Sequence, residues 1–319
     1  MMQEHYTVDN ILKVKVEVGS LLRGELFIDG IAVLIGPPRS GKSLLLRLMY
    51  DTLYYAEKKV QPMDLSLIAS EIIKDNEVIK MDIEGVAEVV CNNIESRGTC
   101  DVNPYTEYIP KPLYIPSSVE DIIKYGYIPP FEPFMEFLNL VNLLKIGFVD
   151  INNEDMKKII DAISQHDKML RSVSLRTVRS RLYEELSDRI IPIELSSSAV
   201  VKLGFLEEAM VRGLLKRYGV VLMDEPESNL HPTEVLRLAL LMHCIARRSK
   251  VVVVTHDFLF LDAVTRPEKL NSIFATNIEP ANVRLYILRD GAIHEINKVS
   301  SIIKGYTDDI LKLYGISGD

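Results

Sequence analysis

The stretch Gly36-Pro37-Pro38-Arg39-Ser40-Gly41-Lys42-Ser43 restricts what this 319-residue chain can become more than any other feature. It fits G-x-x-x-x-G-K-[ST]. A continuous apolar run, Ile31-Ala32-Val33-Leu34-Ile35, precedes it, and a leucine-rich segment free of Gly and Pro, Ser43 to Tyr55, follows. Five apolar residues that stop at a glycine read as a strand buried on both faces. The segment after the loop reads as a helix. Strand, loop and helix in that order build a cradle whose backbone N–H groups and helix N-terminus face phosphate. Gly36, Pro37, Pro38, Arg39, Ser40, Gly41, Lys42, Ser43 and Leu44 are therefore the expected contacts of a nucleotide. ATP and Mg²⁺ are the expected ligands, with the Lys42 ammonium at the β and γ phosphates and the Ser43 hydroxyl on the metal.

Two further apolar runs end in polar groups. Val220-Val221-Leu222-Met223 leads into Asp224-Glu225-Pro226. That places two acids at the carboxyl end of a buried strand, where open α/β sheets bind ligands. Asp224 is the candidate metal residue and Glu225 the group that polarises an attacking water. Val251-Val252-Val253-Val254 leads into Thr255-His256-Asp257. His256 after a third such strand is a candidate catalytic contact of the γ-phosphate.

Helical sequence, Ala199 to Tyr218 and Pro232 to Arg248, precedes each of these strands. Strands alternating with helices make a parallel or mixed sheet. Residues 1–58 and 190–319 are assigned to an α/β P-loop NTPase core. Residues 59–189 are assigned to a mostly helical insertion, with helix-like segments at Ile83–Ile94, Phe131–Leu144 and Asn153–Leu186. Within it, the run 113–116 is a candidate to return to the core sheet. Leu12–Val18 alternates apolar and charged residues, the period of a half-buried strand. Near the end, Asp290-Gly291 between two apolar runs predicts a hairpin with a type I′ turn. Ser300–Leu313 predicts a closing helix.

Composition narrows the class. With 47% hydrophobic and 26% charged residues, the chain can bury a large core and is not a disordered one. Charges interrupt every long apolar stretch, so no membrane span is expected. The start, Met1-Met2-Gln3-Glu4-His5, lacks the apolar core of a signal peptide. Three cysteines without CxxC spacing, Cys91, Cys100 and Cys244, argue against zinc and against a disulfide framework. A cytoplasmic location follows as the expectation. The net charge of −8 disfavours nonspecific coating of nucleic acid. Locally, Lys168, Arg171, Arg176, Arg179 and Arg181 against Asp167 make a +4 patch in fifteen residues. It is either a phosphate-contacting surface or a solvated face balanced by Glu184, Glu185 and Asp188.

Taken with Glu227-Ser228-Asn229-Leu230-His231-Pro232, these pieces resemble the ABC-type ATPase superfamily. Its soluble branch is the nearest in wording: the SMC and DNA-repair ATPase heads, RecF-like proteins and OLD-type, AAA-type ATPases. Leu113-Tyr114-Ile115-Pro116-Ser117 is similar to a strand ahead of the helical lobe in the OLD-type group. The resemblance implies ATP hydrolysis, a head-to-tail homodimer formed on ATP, and action on DNA or a partner protein in repair or defence. It also implies a signature loop that caps the partner's ATP. The matching position here is Leu195-Ser196-Ser197-Ser198-Ala199, where Ser196, Ser197 and Ser198 are candidate phosphate contacts. The usual glycines are missing, so the three serines either form that loop or only cap a helix. Pro38-Arg39 stands where the superfamily often has Asn-Gly. The glutamine of its metal-side loop has no clear counterpart in Gln61 or Gln165. There is no heptad run for a coiled-coil arm and no CxxC hook. Roughly 60 residues follow His256, too few for an appended nuclease domain. A slow nucleotide-binding regulatory module is the alternative, and a transporter subunit fits less well because of His231-Pro232 and the altered signature.

Overall fold

The computed structural model describes residues 11–60, 62–126, 135–151, 153–166, 174–186 and 188–299. The chain opens with β1 (Leu12–Val18), β2 (Leu22–Ile28) and β3 (Ile31–Ile35), followed by α1 (Lys42–Lys58) and α2 (Met63–Ile72). Three strands, β4 (Val78–Ile83), β5 (Ala87–Ile94) and β6 (Arg97–Pro104), form a meander, and β7 (Pro112–Ile115) follows. Next come α3 (Val119–Tyr125), α4 (Met135–Lys145) and α5 (Glu154–His166), then β8 (Ser174–Val178), β9 (Arg181–Glu185) and β10 (Ile190–Pro192). The remainder runs α6 (Ser198–Val211), β11 (Val220–Asp224), α7 (Pro232–Ala246), β12 (Lys250–Val254), α8 (Phe258–Val264), α9 (Pro267–Phe274), β13 (Val283–Arg289) and β14 (Ala292–Ile296).

Among the described residues, eleven strands join one sheet in the order β6-β5-β4-β1-β2-β14-β13-β3-β12-β11-β7. The half from β13 to β7 is parallel. Its apolar strands are covered by helices, as an unbroken run of Val, Ile and Leu requires: all five residues of β3 and of β12 are buried. Parallel register brings their carboxyl ends level, with Leu34 beside Val254, Val254 beside Asp224, and Met223 beside Ile115. Every polar group that follows these strands is thereby delivered to one edge.

The antiparallel half departs from the sequence reading. Ile83–Ile94 is not a helix but the turn and second strand of the β4–β5 hairpin. Its residues Ile83, Ala87, Val90 and Ile94 satisfy a helical spacing. The alternation Ala87, Val89, Cys91, Asn93 is the set that is buried, and Gly85 (φ +74) makes the turn between the strands. Residues 78–104 therefore extend the core sheet rather than an inserted lobe. Cys91 and Cys100, cross-strand partners on β5 and β6, form a disulfide, contrary to the expectation of free thiols. The nine-residue spacing gave no sign of it, because the hairpin that brings the two together was not foreseen.

The lobe proper comprises α3, α4 and α5 with a second sheet of three strands, β10-β9-β8. The helix predicted over Asn153–Leu186 ends within it at His166, and 174–185 is a hairpin. Its turn holds Arg179 and Ser180 at φ +47 and +60, a two-residue turn of positive φ. Arg176, Arg179 and Arg181 of the basic patch fall on this hairpin, whereas Lys168 and Arg171, like the closing helix predicted at Ser300–Leu313, lie outside the described residues. Arg237 of α7 is fully buried and grips Glu207 of α6 with two bonds of 2.6 and 2.7 Å, while also donating to Ser164 of α5 at 3.1 Å.

Candidate functional site

The loop after β3 turns into α1 with no side chain capping the helix. Gly41 at the cap position sits at φ +92, its neighbours in the first turn include no acid, and no side-chain hydrogen bond closes the end. The first amides of a helix have no partner within it, so this end presents free N–H groups and the positive pole of the helix. Gly36 is required by space: a Cβ there would meet the Leu288 carbonyl oxygen and lie 2.8 Å from Ser40 Oγ. Arg39 adopts φ +64, a conformation glycine takes without strain and arginine does not. The Lys42 ammonium folds back over the loop, donating to the Gly36 and Pro37 carbonyls at 2.9 Å each and to Ser40 Oγ at 3.3 Å. Burial pulls its pKa down, against the upward pull of Glu225 and Asp224.

Across the cleft stand the acids. Asp224 ends β11 beneath the loop near Ser43 and accepts a hydrogen bond from Tyr114 Oη at 3.3 Å. Burial raises its pKa, and the Ser43 and Tyr114 hydroxyls act the other way. Glu225 follows at φ +44, strained for a residue with a side chain, and its amide donates to the Val254 carbonyl at 2.9 Å. Its carboxylate lies 3.5 Å from His256 Nε2. Burial, helped by the charge of Lys42, lowers the His256 pKa, so the imidazole is neutral at pH 7. Pro38, Arg39, Ser40, Gly41, Lys42, Ser43, Leu44, Glu225 and His256 line one open cleft.

The three serines do not line that cleft. They follow a 3₁₀ turn (Ile193–Leu195) and begin α6. Ser197 is the cap, accepting the Val200 amide at 3.3 Å, and it remains exposed. Ser196 is buried, its carbonyl held by Lys124 of α3 at 2.7 Å. Its hydroxyl has no hydrogen-bond partner among the described residues. Ser198 is half-buried in the first turn. The cap reading of this segment is thus realised in the geometry, and it leaves the Ser197 side chain facing solvent. Gln165 lies on α5 and does not line the cleft, while Gln61 is outside the described residues.

Several residues around the site were given no role of their own from the sequence. Glu227, buried, accepts the Thr255 hydroxyl at 2.5 Å and the His256 amide at 3.3 Å, clamping the loop after β11 to the end of β12. Burial raises its pKa. Lys202 of α6, 3% exposed, donates to the carbonyl and hydroxyl of Ser228 at 2.7 and 2.6 Å and lies 3.2 Å from Glu120 of α3. Asn229 donates to the same Glu120 at 3.1 Å. One buried cluster therefore binds the serine helix to the loop that follows the acids. A histidine, His231, caps α7 in a reciprocal box with Glu234.

The arrangement fits a nucleoside polyphosphate with a divalent cation. An uncapped helix end, a loop that admits no Cβ at Gly36 and a buried ammonium supply the anion side. Ser43 and Asp224, which face one another beneath the loop, are an oxygen pair of the kind a hard cation takes.

Comparison with known proteins bears on the fold. Residues 125–262 match the family described as "AAA domain, putative AbiEii toxin, Type IV TA system", under half of the chain. Among solved structures, an Smc head bound to the C-winged helix domain of ScpA aligns at a TM-score of 0.52 and 16% identity, covering 92% of this chain and 99% of that one. The Smc head with an extended coiled coil from Pyrococcus furiosus, bound to the C-terminal domain of ScpA, aligns at 0.50 and 13%, covering 94% and 99%. Curated proteins yield no match by sequence. No helix among the described residues is long and apolar enough to cross a membrane. The chain shares the fold of these Smc head domains.

Proposed function

We propose that the chain binds and hydrolyses ATP and that the nucleotide switches it between a monomer and a head-to-tail homodimer acting on DNA or a partner protein. The observation that carries this reading is the cleft itself: the uncapped end of α1, Lys42, the Ser43–Asp224 pair, Glu225 and His256 converge at one edge of the sheet. The loop from Gly36 to Leu44 holds the phosphates through backbone amides, and Lys42 exchanges its loop carbonyls for phosphate oxygens. Ser43 and Asp224 would hold Mg²⁺, which would supply positive charge to offset that on the transferring phosphoryl group. Glu225 orients water and takes its proton. Neutral His256, beside Glu225, donates a hydrogen bond toward the γ-phosphate. Ser196, Ser197 and Ser198 of one protomer cap the nucleotide of the other.

A second reading has its own support. Ser197 Oγ already accepts an amide within its own helix, and glycine, which allows close backbone approach, is absent from the loop. A head with weak capping would hold ATP and hydrolyse it slowly as a regulatory module. Calorimetry and turnover separate these. Lys42→Ala should abolish nucleotide binding, and unchanged affinity removes both readings. Glu225→Gln should bind ATP normally and hydrolyse it about 100 to 1000 times more slowly. Wild-type turnover at the rate of that variant favours the regulatory module.

A further inference from the structure

Tyr114 occupies a position that the reading above leaves without a task. It lies on β7 opposite Leu222 of β11. In parallel register its side chain stands on the same face as Leu222 and, two residues further, Asp224. Its hydroxyl reaches Asp224 Oδ2 at 3.3 Å across a sequence separation of 110 residues. The ring is 6% exposed and set edge-on against Tyr50 of α1, with centroids 6.3 Å apart and planes at 69°. Tyr50 stacks in turn on Tyr54 at 5.4 Å. The phenol is thus wedged between the edge strand of the sheet and the helix that leaves the phosphate loop. Its oxygen has little freedom to go elsewhere.

A carboxylate at the end of a strand can rotate about its last bond. One anchored oxygen leaves the other to point in a fixed direction, and metal-ligating carboxylates are tuned by hydrogen bonds of this kind. We propose that Tyr114 is a positioning residue for the divalent cation: its O–H fixes one oxygen of Asp224, so that the carboxylate meets the metal already aligned with Ser43. Tyr114 acts through Asp224 and touches neither nucleotide nor water. The inference rests on the assignment of Asp224 as the metal residue.

The test is calorimetric titration of a nonhydrolysable ATP analogue into the full chain, with Mg²⁺ and with a chelator, alongside a thermal melt. Wild-type protein should show a Mg²⁺-dependent gain in affinity. Tyr114→Phe keeps the ring and removes the hydroxyl. It should lower the apparent Mg²⁺ affinity about tenfold, the size of one hydrogen bond to a charged group, with Mg²⁺-free binding and melting temperature as in wild type. In an Asp224→Asn background the same substitution should have no further effect on the metal, since the partner through which it acts is already altered. A gain fully retained in Tyr114→Phe overturns the inference alone, as does a loss of Mg²⁺-free binding, which would mark damaged packing. A wild-type protein without any Mg²⁺-dependent gain overturns the metal assignment and the inference together.

Discussion

Two helices of this molecule begin at sites read as phosphate-facing, and they begin differently. α1 starts at a glycine in the left-handed region with its first amides unclaimed by any side chain. α6 starts at a serine in extended conformation whose hydroxyl claims an amide of the first turn. Helix dipoles and orphan amides are common to both ends. The difference lies in who satisfies them. α1 is completed only by an external anion and is flanked by a buried ammonium. α6 is complete by itself and is fixed from below through Lys124 and Lys202. The comparison teaches that a binding end is built by withholding a cap, and that any ligand of the serine helix would have to displace the cap it already has.

Placing the same charge at both caps tests this most severely. Gly41→Asp puts a carboxylate where phosphate would sit and forces a side chain into φ +92. Nucleotide affinity should fall by about 100-fold or more, measured by calorimetry, and wild-type affinity in this variant would show that the α1 end is not the phosphate seat. Ser197→Asp should leave affinity of the isolated protomer unchanged, since a carboxylate caps a helix as well as serine does.

The second comparison is of assembly. With Glu225→Gln and ATP, light scattering at micromolar protein should show a dimer. Ser197→Arg should return it to monomer through bulk and charge at the seat. The protomers carry −8 each, so dimerisation should strengthen as salt rises and screens their repulsion. A monomer at every ionic strength would leave α6 capped by its own serine and nothing more.

Smaller effects separate the serines from each other. Ser197→Ala removes the cap of α6 and should cost about 1 kcal/mol of stability, read as a drop of about 2 °C in melting temperature, with nucleotide affinity intact. Ser196→Ala removes a buried hydroxyl that finds no partner among the described residues, so it should be neutral or slightly stabilising. A large loss there would mean that the hydroxyl is engaged after all.

The legible parts of the site share one property: strand, turn and polar group follow one another in the chain. Apolar runs that stop at Gly36, Asp224 and Thr255 announce both the strand and the edge it delivers to. The run holding Tyr114 announces a core strand but not its neighbour, because β7 meets β11 only through a pairing more than a hundred residues long. Glu120 and Lys202 announce nothing, since the lysine's partners come from two other elements. In the fold, the parallel half was readable from continuous burial. In the antiparallel half, β1 and the β13–β14 hairpin were readable from alternation and from Asp290-Gly291. The β4–β5 hairpin was not, since Ile83, Ala87, Val90 and Ile94 satisfy the helical period while their neighbours satisfy that of a strand. A glycine at a positive φ decides between them, and the disulfide followed from that hairpin.

The grip of Arg237 on Glu207 gives the molecule an unequal-armed balance. This buried pair fastens α6 and α7 to one another partway along both helices. At 1.5 Å per residue, the fulcrum stands roughly 14 Å from the start of α6 and roughly 8 Å from the start of α7. A tilt of about 5° about it would carry the serine end by roughly 1.2 Å and the His231 end by roughly 0.7 Å. Tips on unequal arms cannot both stay in register with a facing protomer while the pair tilts. In the proposed dimer the two tips would therefore engage together, as parts of one stiff body held by the Arg237–Glu207 pair.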